Sequence, residues 1–109
     1  MSTIFSLGSG TATATSGAAT LNNRFGVITS EALTTAQNAI YTLTITNSAI
    51  KAGDIVLASV QNGTNDQGTP MIGSITPADG SVVIQVINKH ASAEALNGTL
   101  KIAFAALGA

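Results

Sequence analysis

From Leu21 onward, apolar and polar side chains alternate with the period of two that sends successive residues to opposite faces of a β-strand. The clearest run is Ile40–Thr46, with Tyr41, Leu43 and Ile45 on one face and Thr42, Thr44 and Thr46 on the other. Residues 54–61 set Ile55, Leu57 and Ser59 against Val56, Ala58 and Val60; with both faces mostly apolar, this strand is expected to be central or packed against a neighbour. Ser81–Asn88 has the same character, Val82, Ile84 and Val86 standing opposite Val83, Gln85 and Ile87. Residues 98–104 direct Leu100, Ile102 and Phe104 inward and Thr99, Lys101 and Ala103 outward, and these runs together supply the expected core. Weaker strands are expected over 24–29 and 70–76, the second interrupted by Gly73, where a bulge or a close backbone approach would sit.

Turn chemistry separates the runs: Asn47-Ser48, Ala52-Gly53-Asp54, Asn62-Gly63, Pro77-Ala78-Asp79-Gly80 and Asn97-Gly98. The turn at Pro77 is the best hairpin, because proline presets φ and glycine accepts the left-handed conformation needed to join Ile75 to Val82. Residues 31–39 suit either a short helix capped by Ser30 or an extended strand or loop, since Thr34, Thr35 and the lack of an apolar stripe all weaken the helix. About eight short strands without crossover helices predict an all-β fold, an antiparallel two-sheet β-sandwich that is jelly-roll-like, with an immunoglobulin-like topology also open. A length of 109 residues leaves room for one core, expected as a body over 21–109 behind an extended N-terminal arm over 1–20. The arm is rich in Ser, Thr, Ala and Gly, which bury little area and fix register weakly. Near its start Ile4, Phe5 and Leu7 form an apolar cluster suited to plugging a groove on another subunit; a frayed terminus or a plain edge strand is the alternative.

Composition changes this picture in one respect. Charged residues are only 8% of the chain and the net charge is -1, so the surface must be covered largely by Thr, Ser, Asn, Gly and Ala. Copies of such a molecule repel one another weakly, which points to assembly. The regular apolar runs argue against disorder, and the absence of Cys removes both disulfides and thiolate metal sites. The first ten residues carry no Lys or Arg and are broken by Ser6, Gly8 and Ser9, unlike a secretory leader. No apolar run approaches the roughly 20 residues of a membrane-spanning helix, so no membrane partner is expected. Arg24, Lys51, Lys89 and Lys101 make no basic stripe and Tyr41 is the only Tyr, so nucleic acid is not an expected partner either.

Catalytic chemistry needs convergent groups with tuned pKa values, and the chain offers one His, five carboxylates and no thiol. His90 follows a strand without local partners for base or metal chemistry and reads as a loop or interface histidine bonded to backbone. The oxygen-rich loop 63–68 has a single carboxylate, Asp66, and no calcium-loop spacing, which makes it a polar hairpin loop. Gly8-Ser9-Gly10 opens no strand-to-helix phosphate cradle. The Asn-Gly-Thr tripeptides at Asn62 and Asn97 match a glycosylation sequon but stand where Asn-Gly turns are natural. No catalytic residue, cofactor or metal is therefore expected.

The order of Glu31-Ala32-Leu33-Thr34-Thr35-Ala36, Tyr41-Thr42-Leu43-Thr44-Ile45-Thr46-Asn47-Ser48, the run from Ile55 to Gly63, Thr76-Pro77-Ala78-Asp79-Gly80-Ser81 and the ending from Asn97 to Phe104 resembles small virion structural proteins of tailed bacteriophages. The resemblance implies a compact β-sandwich of the kind found in capsid decoration (cement) proteins and in fibre or spike modules, often trimeric. It carries no catalytic residue to this chain. A stand-alone unit with an arm fits decoration of the outer capsid surface, with the major capsid protein and further copies of the chain, a trimer favoured, as partners. Ile4, Phe5 and Leu7 in the arm and Arg24 on the body are the expected contact residues. A fibre, spike or tail-associated module with adhesive loops is the alternative, although the 4% aromatic content without Trp suits sugar stacking poorly. A small hydrolase using His90 is a third, formal one.

Overall fold

A computed structural model describes residues 9–108 of the chain. Among them the elements are all strands: β1 (Ser9–Thr13), β2 (Ala18–Thr20), β3 (Phe25–Thr29), β4 (Ile40–Thr46), β5 (Ile55–Asn62), β6 (Pro70–Ala78), β7 (Ser81–Asn88) and β8 (Leu100–Leu107). They form a β-sandwich of two four-stranded sheets, sheet A in the order β1-β3-β8-β5 and sheet B in the order β2-β4-β7-β6. From β3 to β6 each successive strand goes to the opposite sheet, so the chain spirals around the core. The sheets are mixed: β1 lies parallel on β3 and β2 parallel on β4, while the remaining pairs are antiparallel. The expected wholly antiparallel jelly roll is corrected on this point; the small residues of β1 and β2 fill edge positions that a jelly roll gives to antiparallel strands.

Alternation decides what lies inside. Tyr41, Leu43 and Ile45 of β4, Val82, Ile84 and Val86 of β7, and Leu100, Ile102, Phe104 and Ala106 of β8 are buried between the sheets. Ile28 of β3 and Val56 of β5 join them, and the loop residues Leu33, Ile50 and Leu96 close the ends. The antiparallel register matches this sorting: Leu43 opposes Ile84, and Ile28 opposes Ile102. Each fully buried aliphatic side chain contributes about 1.5–3 kcal/mol relative to exposure, so these strands carry the bulk of the stability.

Several expectations are revised. Of the two placements expected for β5, central or packed against a neighbour, the central one is excluded: it is an edge strand of sheet A, and the outward apolar residues of its first half are exposed. Residues 31–39 form no helix. Their first part runs beside residues 96–100, with Ser30 N–H donating to Leu100 O, Leu33 N–H to Gly98 O and Leu96 N–H to Thr35 O, and a turn follows in which Ala39 N–H donates to Ala36 O and Asn38 has φ 64°. Pro77 sits inside β6 opposite Val82, and the hairpin tip is Asp79-Gly80, with Gly80 at φ +85°. The bulge expected near Gly73 is present, as the β6–β7 register shifts between Ile72 and Ile75.

Of the expected arm, residues 9–20 belong to the sandwich. Thr15 and Ala18 exchange both backbone hydrogen bonds around Ser16 and Gly17, which have φ of 50° and 76°, and this tight reversal passes the chain from sheet A to sheet B. Paired left-handed residues are what a type I′ turn requires. A Cβ on Gly17 would stand 2.6 Å from the Thr42 carbonyl oxygen, so glycine is needed there on steric as well as torsional grounds. Ile4, Phe5 and Leu7 lie outside the described residues.

Candidate functional site

Among the described residues, the outer face of sheet A carries the exposed large hydrophobic side chains Ile55, Leu57 and Leu107. Cross-strand register arranges its side chains in rows. Ile55 opposes Leu107; Leu57, Ala105 and Phe25 follow; then come Ser59, Ala103, Val27 and Thr11; last are Gln61, Lys101, Thr29 and Thr13. The face thus grades from aliphatic to polar along the strands. At its apolar end Ile55 is 60% exposed, Leu57 56% and Leu107 46%. Ala103 and Ala105, on the central strand β8, leave a trough between Leu57 on one side and Phe25 and Val27 on the other, an open groove of about 510 Å³. Lys101, at the polar end, is the one ionisable residue in these rows.

Sheet B repeats the arrangement on a smaller scale. Ile40 and Met71, each 51% exposed, flank Ile87 in one cross-strand row, while threonines cover the rest of β4's outer side. An isolated row of this size needs no explanation, whereas a graded face with a trough is a candidate contact surface.

Around the faces, polar side chains hold loops. The Arg24 guanidinium donates to Ala49 O at 2.6 Å through Nη1, to Ala106 O at 3.1 Å through Nε, and to Asp54 Oδ2 at 3.2 Å through Nη2. Asp54 Oδ2 also accepts from Lys51 N–H at 3.0 Å. That backbone hydrogen bond, followed by Arg24, holds the Asp54 carboxyl below its ordinary pKa. Arg24, expected among contact residues, is therefore engaged within its own chain, tying the start of β3 to the end of β8 and to the 47–54 loop.

Three buried asparagines do comparable work that turn propensity did not reveal. Asn88, fully buried at the end of β7, accepts from Thr69 and His90 N–H and donates to Thr35 and Glu94 O. Asn47 donates to Asn23 O and accepts from Ala49 N–H. Asn65 donates to Asn62 Oδ1 and Gln67 O and accepts from Asn97 N–H. A sequence signal existed, since each stands at a strand end or loop with few charged neighbours to satisfy backbone groups, but burial was not legible from it.

His90, Glu94, Asp66, Tyr41 and Glu31 are likewise bonded within the chain. His90 takes a hydrogen bond from Ser92 N–H on Nδ1 and places Nε2 3.3 Å from Glu94 Oε1, which accepts from Gly68 N–H. Asp66 accepts from Asn97 Nδ2 and donates its own N–H to Asn97 Oδ1, clasping loop 63–68 to loop 89–99. Tyr41 OH donates to Glu31 Oε1 at 2.8 Å, and burial, followed by this carboxylate, raises the phenol pKa above its ordinary value. Among the described residues no three His, Cys, Asp or Glu side chains converge as metal ligands would. No family model, curated protein or solved structure matches this chain.

Proposed function

We propose that the chain is a non-enzymatic virion structural protein, a capsid decoration protein that binds the outer surface of an assembled phage shell as a homo-oligomer, a trimer favoured. The observation that carries the proposal is the outer face of sheet A: a graded apolar surface with a trough, on a body of very low charge. Such a face loses free energy by being covered, at about 25 cal/mol per Å² of apolar area removed from water. A decoration protein acts through linkage. If its interface, of the order of 1,200–2,000 Å², forms only on the assembled lattice, binding stabilises that lattice over its dissociated or unexpanded states. The edge strands and apolar face would meet the major capsid protein and neighbouring copies, leaving the clasped loops around Asn65 and Asn97 toward solvent.

The test is binding of purified protein to capsid shells stripped of accessory proteins, followed by imaging. Saturable occupancy of regular lattice sites is expected, lost when Leu57→Glu places a charge in the face. Absence of binding by the intact protein would overturn the proposal and move the assignment to a fibre, spike or tail-associated module.

A further inference from the structure

The groove on sheet A and the apolar cluster near the start of the chain meet at one point of the fold. Residues 1–8 contain Ile4, Phe5 and Leu7, and the chain joins the described strands at Ser9. Because β1 runs parallel to β3 with Ser9 opposite Phe25, that junction is at the apolar end of the groove. The strand axis there leads past one further row, Ile55 and Leu107, to the end of sheet A. An occupant from the same chain would have to reverse fully at Gly8, whereas one donated by a second copy would not.

Reach and register agree with the second course. Eight extended residues span about 27 Å, roughly twice the ~14 Å across a four-stranded sheet. Phe5 and Leu7 are two positions apart, so in an extended segment both point to the same side. The trough over Ala103 and Ala105 accepts side chains of that size between Leu57 and Val27. Area argues in the same direction. The apolar rows cover only about 14 Å by 14 Å in projection, well short of the ~800 Å² per partner of a stable complex, so a flat contact between two such faces is too small. A segment crossing from each copy to the next adds its own buried surface at every junction.

We infer that residues 1–8 of one copy occupy the sheet A groove of a second copy, Phe5 lying over Ala105 beside Leu57. The inference rests on reading the sheet A face as a docking surface and names its occupant.

The chain has no cysteine, which makes cross-linking clean. Phe5→Cys and Leu57→Cys chains, mixed and oxidised, are expected to give a disulfide-linked heterodimer at least tenfold more abundant than the control pair of Phe5→Cys with Thr42→Cys, whose residue 42 lies on the outer side of sheet B. Placed together in one chain, the first two substitutions are expected to yield linked dimers and higher species; an internally closed monomer would overturn the inference in favour of the molecule's own groove. Failure to link while both thiols react fully with a small thiol reagent would also overturn it. Deletion of residues 1–8 should shift sedimentation toward monomer with the circular dichroism spectrum retained, and an unchanged oligomer would contradict the proposal. Shell binding without heterodimer formation would leave the decoration role standing and remove this occupant; heterodimer formation without shell binding would do the reverse.

Discussion

Asn88 shows how much one side chain does in a domain with so few charges. Its amide has two donors and two acceptor positions, and all four are used, on backbone groups of loops 31–39, 63–69 and 89–99. Truncation would leave several buried backbone groups unsatisfied at about 1–3 kcal/mol each, so Asn88→Ala should cost roughly 3 kcal/mol or more. Asn88→Asp, nearly isosteric, replaces the two donors with an acceptor facing Thr35 and Glu94 carbonyls and should be at least as damaging at neutral pH. Urea unfolding with an unchanged m-value is the check, and a loss below about 1 kcal/mol for both variants would contradict the role assigned to this residue. Asp54 makes a different prediction. Its carboxyl is held below the ordinary value of 3.8, chiefly by Lys51 N–H and then by Arg24, so its charged form stabilises the fold at pH above that value. The contribution disappears as pH falls through the depressed pKa. Asp54→Asn should therefore lower the melting temperature at pH 7 and flatten the acid limb of the stability curve below about pH 4; an acid limb identical to that of the parent protein would show that the carboxylate is not coupled to folding.

At the scale of elements, strand β5 separates fold from function. Its inward residue Val56 is buried opposite Ala106 of β8, while Leu57, one position on, is 56% exposed. Ile102→Ala removes a fully buried side chain and should cost about 2–5 kcal/mol. Leu57→Ser should change unfolding free energy by no more than about 0.5 kcal/mol, as an exposed substitution does, while weakening self-association and shell binding. Comparable losses of stability from both would mean that Leu57 belongs to the core and that the outer face is not a contact surface. The alternation in Ile40–Thr46, Ser81–Asn88 and the β8 run made these strands and their inward residues legible in the sequence. The same alternation left the place of β5 open: apolar residues on both faces announce that both are covered, without saying whether the cover is the same chain or another. β1 was illegible for a related reason. Its Ser, Gly, Thr and Ala side chains have no contrast to alternate, and its pairing with β3 relies on backbone bonds and on the turn at Ser16-Gly17.

For the molecule as a whole, strand order was beyond the sequence because alternation fixes faces and not neighbours, which is how two parallel edge pairs came to stand where an antiparallel sandwich was expected. The candidate face was half legible. Ile55 and Leu57 lie on a strand that reads as apolar on both faces and 24–29 reads only as a weaker strand; only the register of β3, β8 and β5 shows Ile55, Leu57, Phe25 and Val27 gathered on one outer surface. That surface has a consequence for solution behaviour. Lys101 alone is ionisable in its rows and Arg24 is bound within the chain, so association through it involves little charge. Raising salt from 0.1 to 1 M shortens the screening length from about 10 to 3 Å, which would dissolve contacts held by exposed ion pairs. Here the oligomer fraction measured by sedimentation velocity should stay constant or rise across that range, and shell binding should follow it. Strongly excluded salts such as sulfate should raise it further, because they favour burial of apolar surface. A tenfold fall in association constant between 0.1 and 1 M sodium chloride would instead place the contact on charged groups elsewhere on the molecule and remove the sheet A face from the interface.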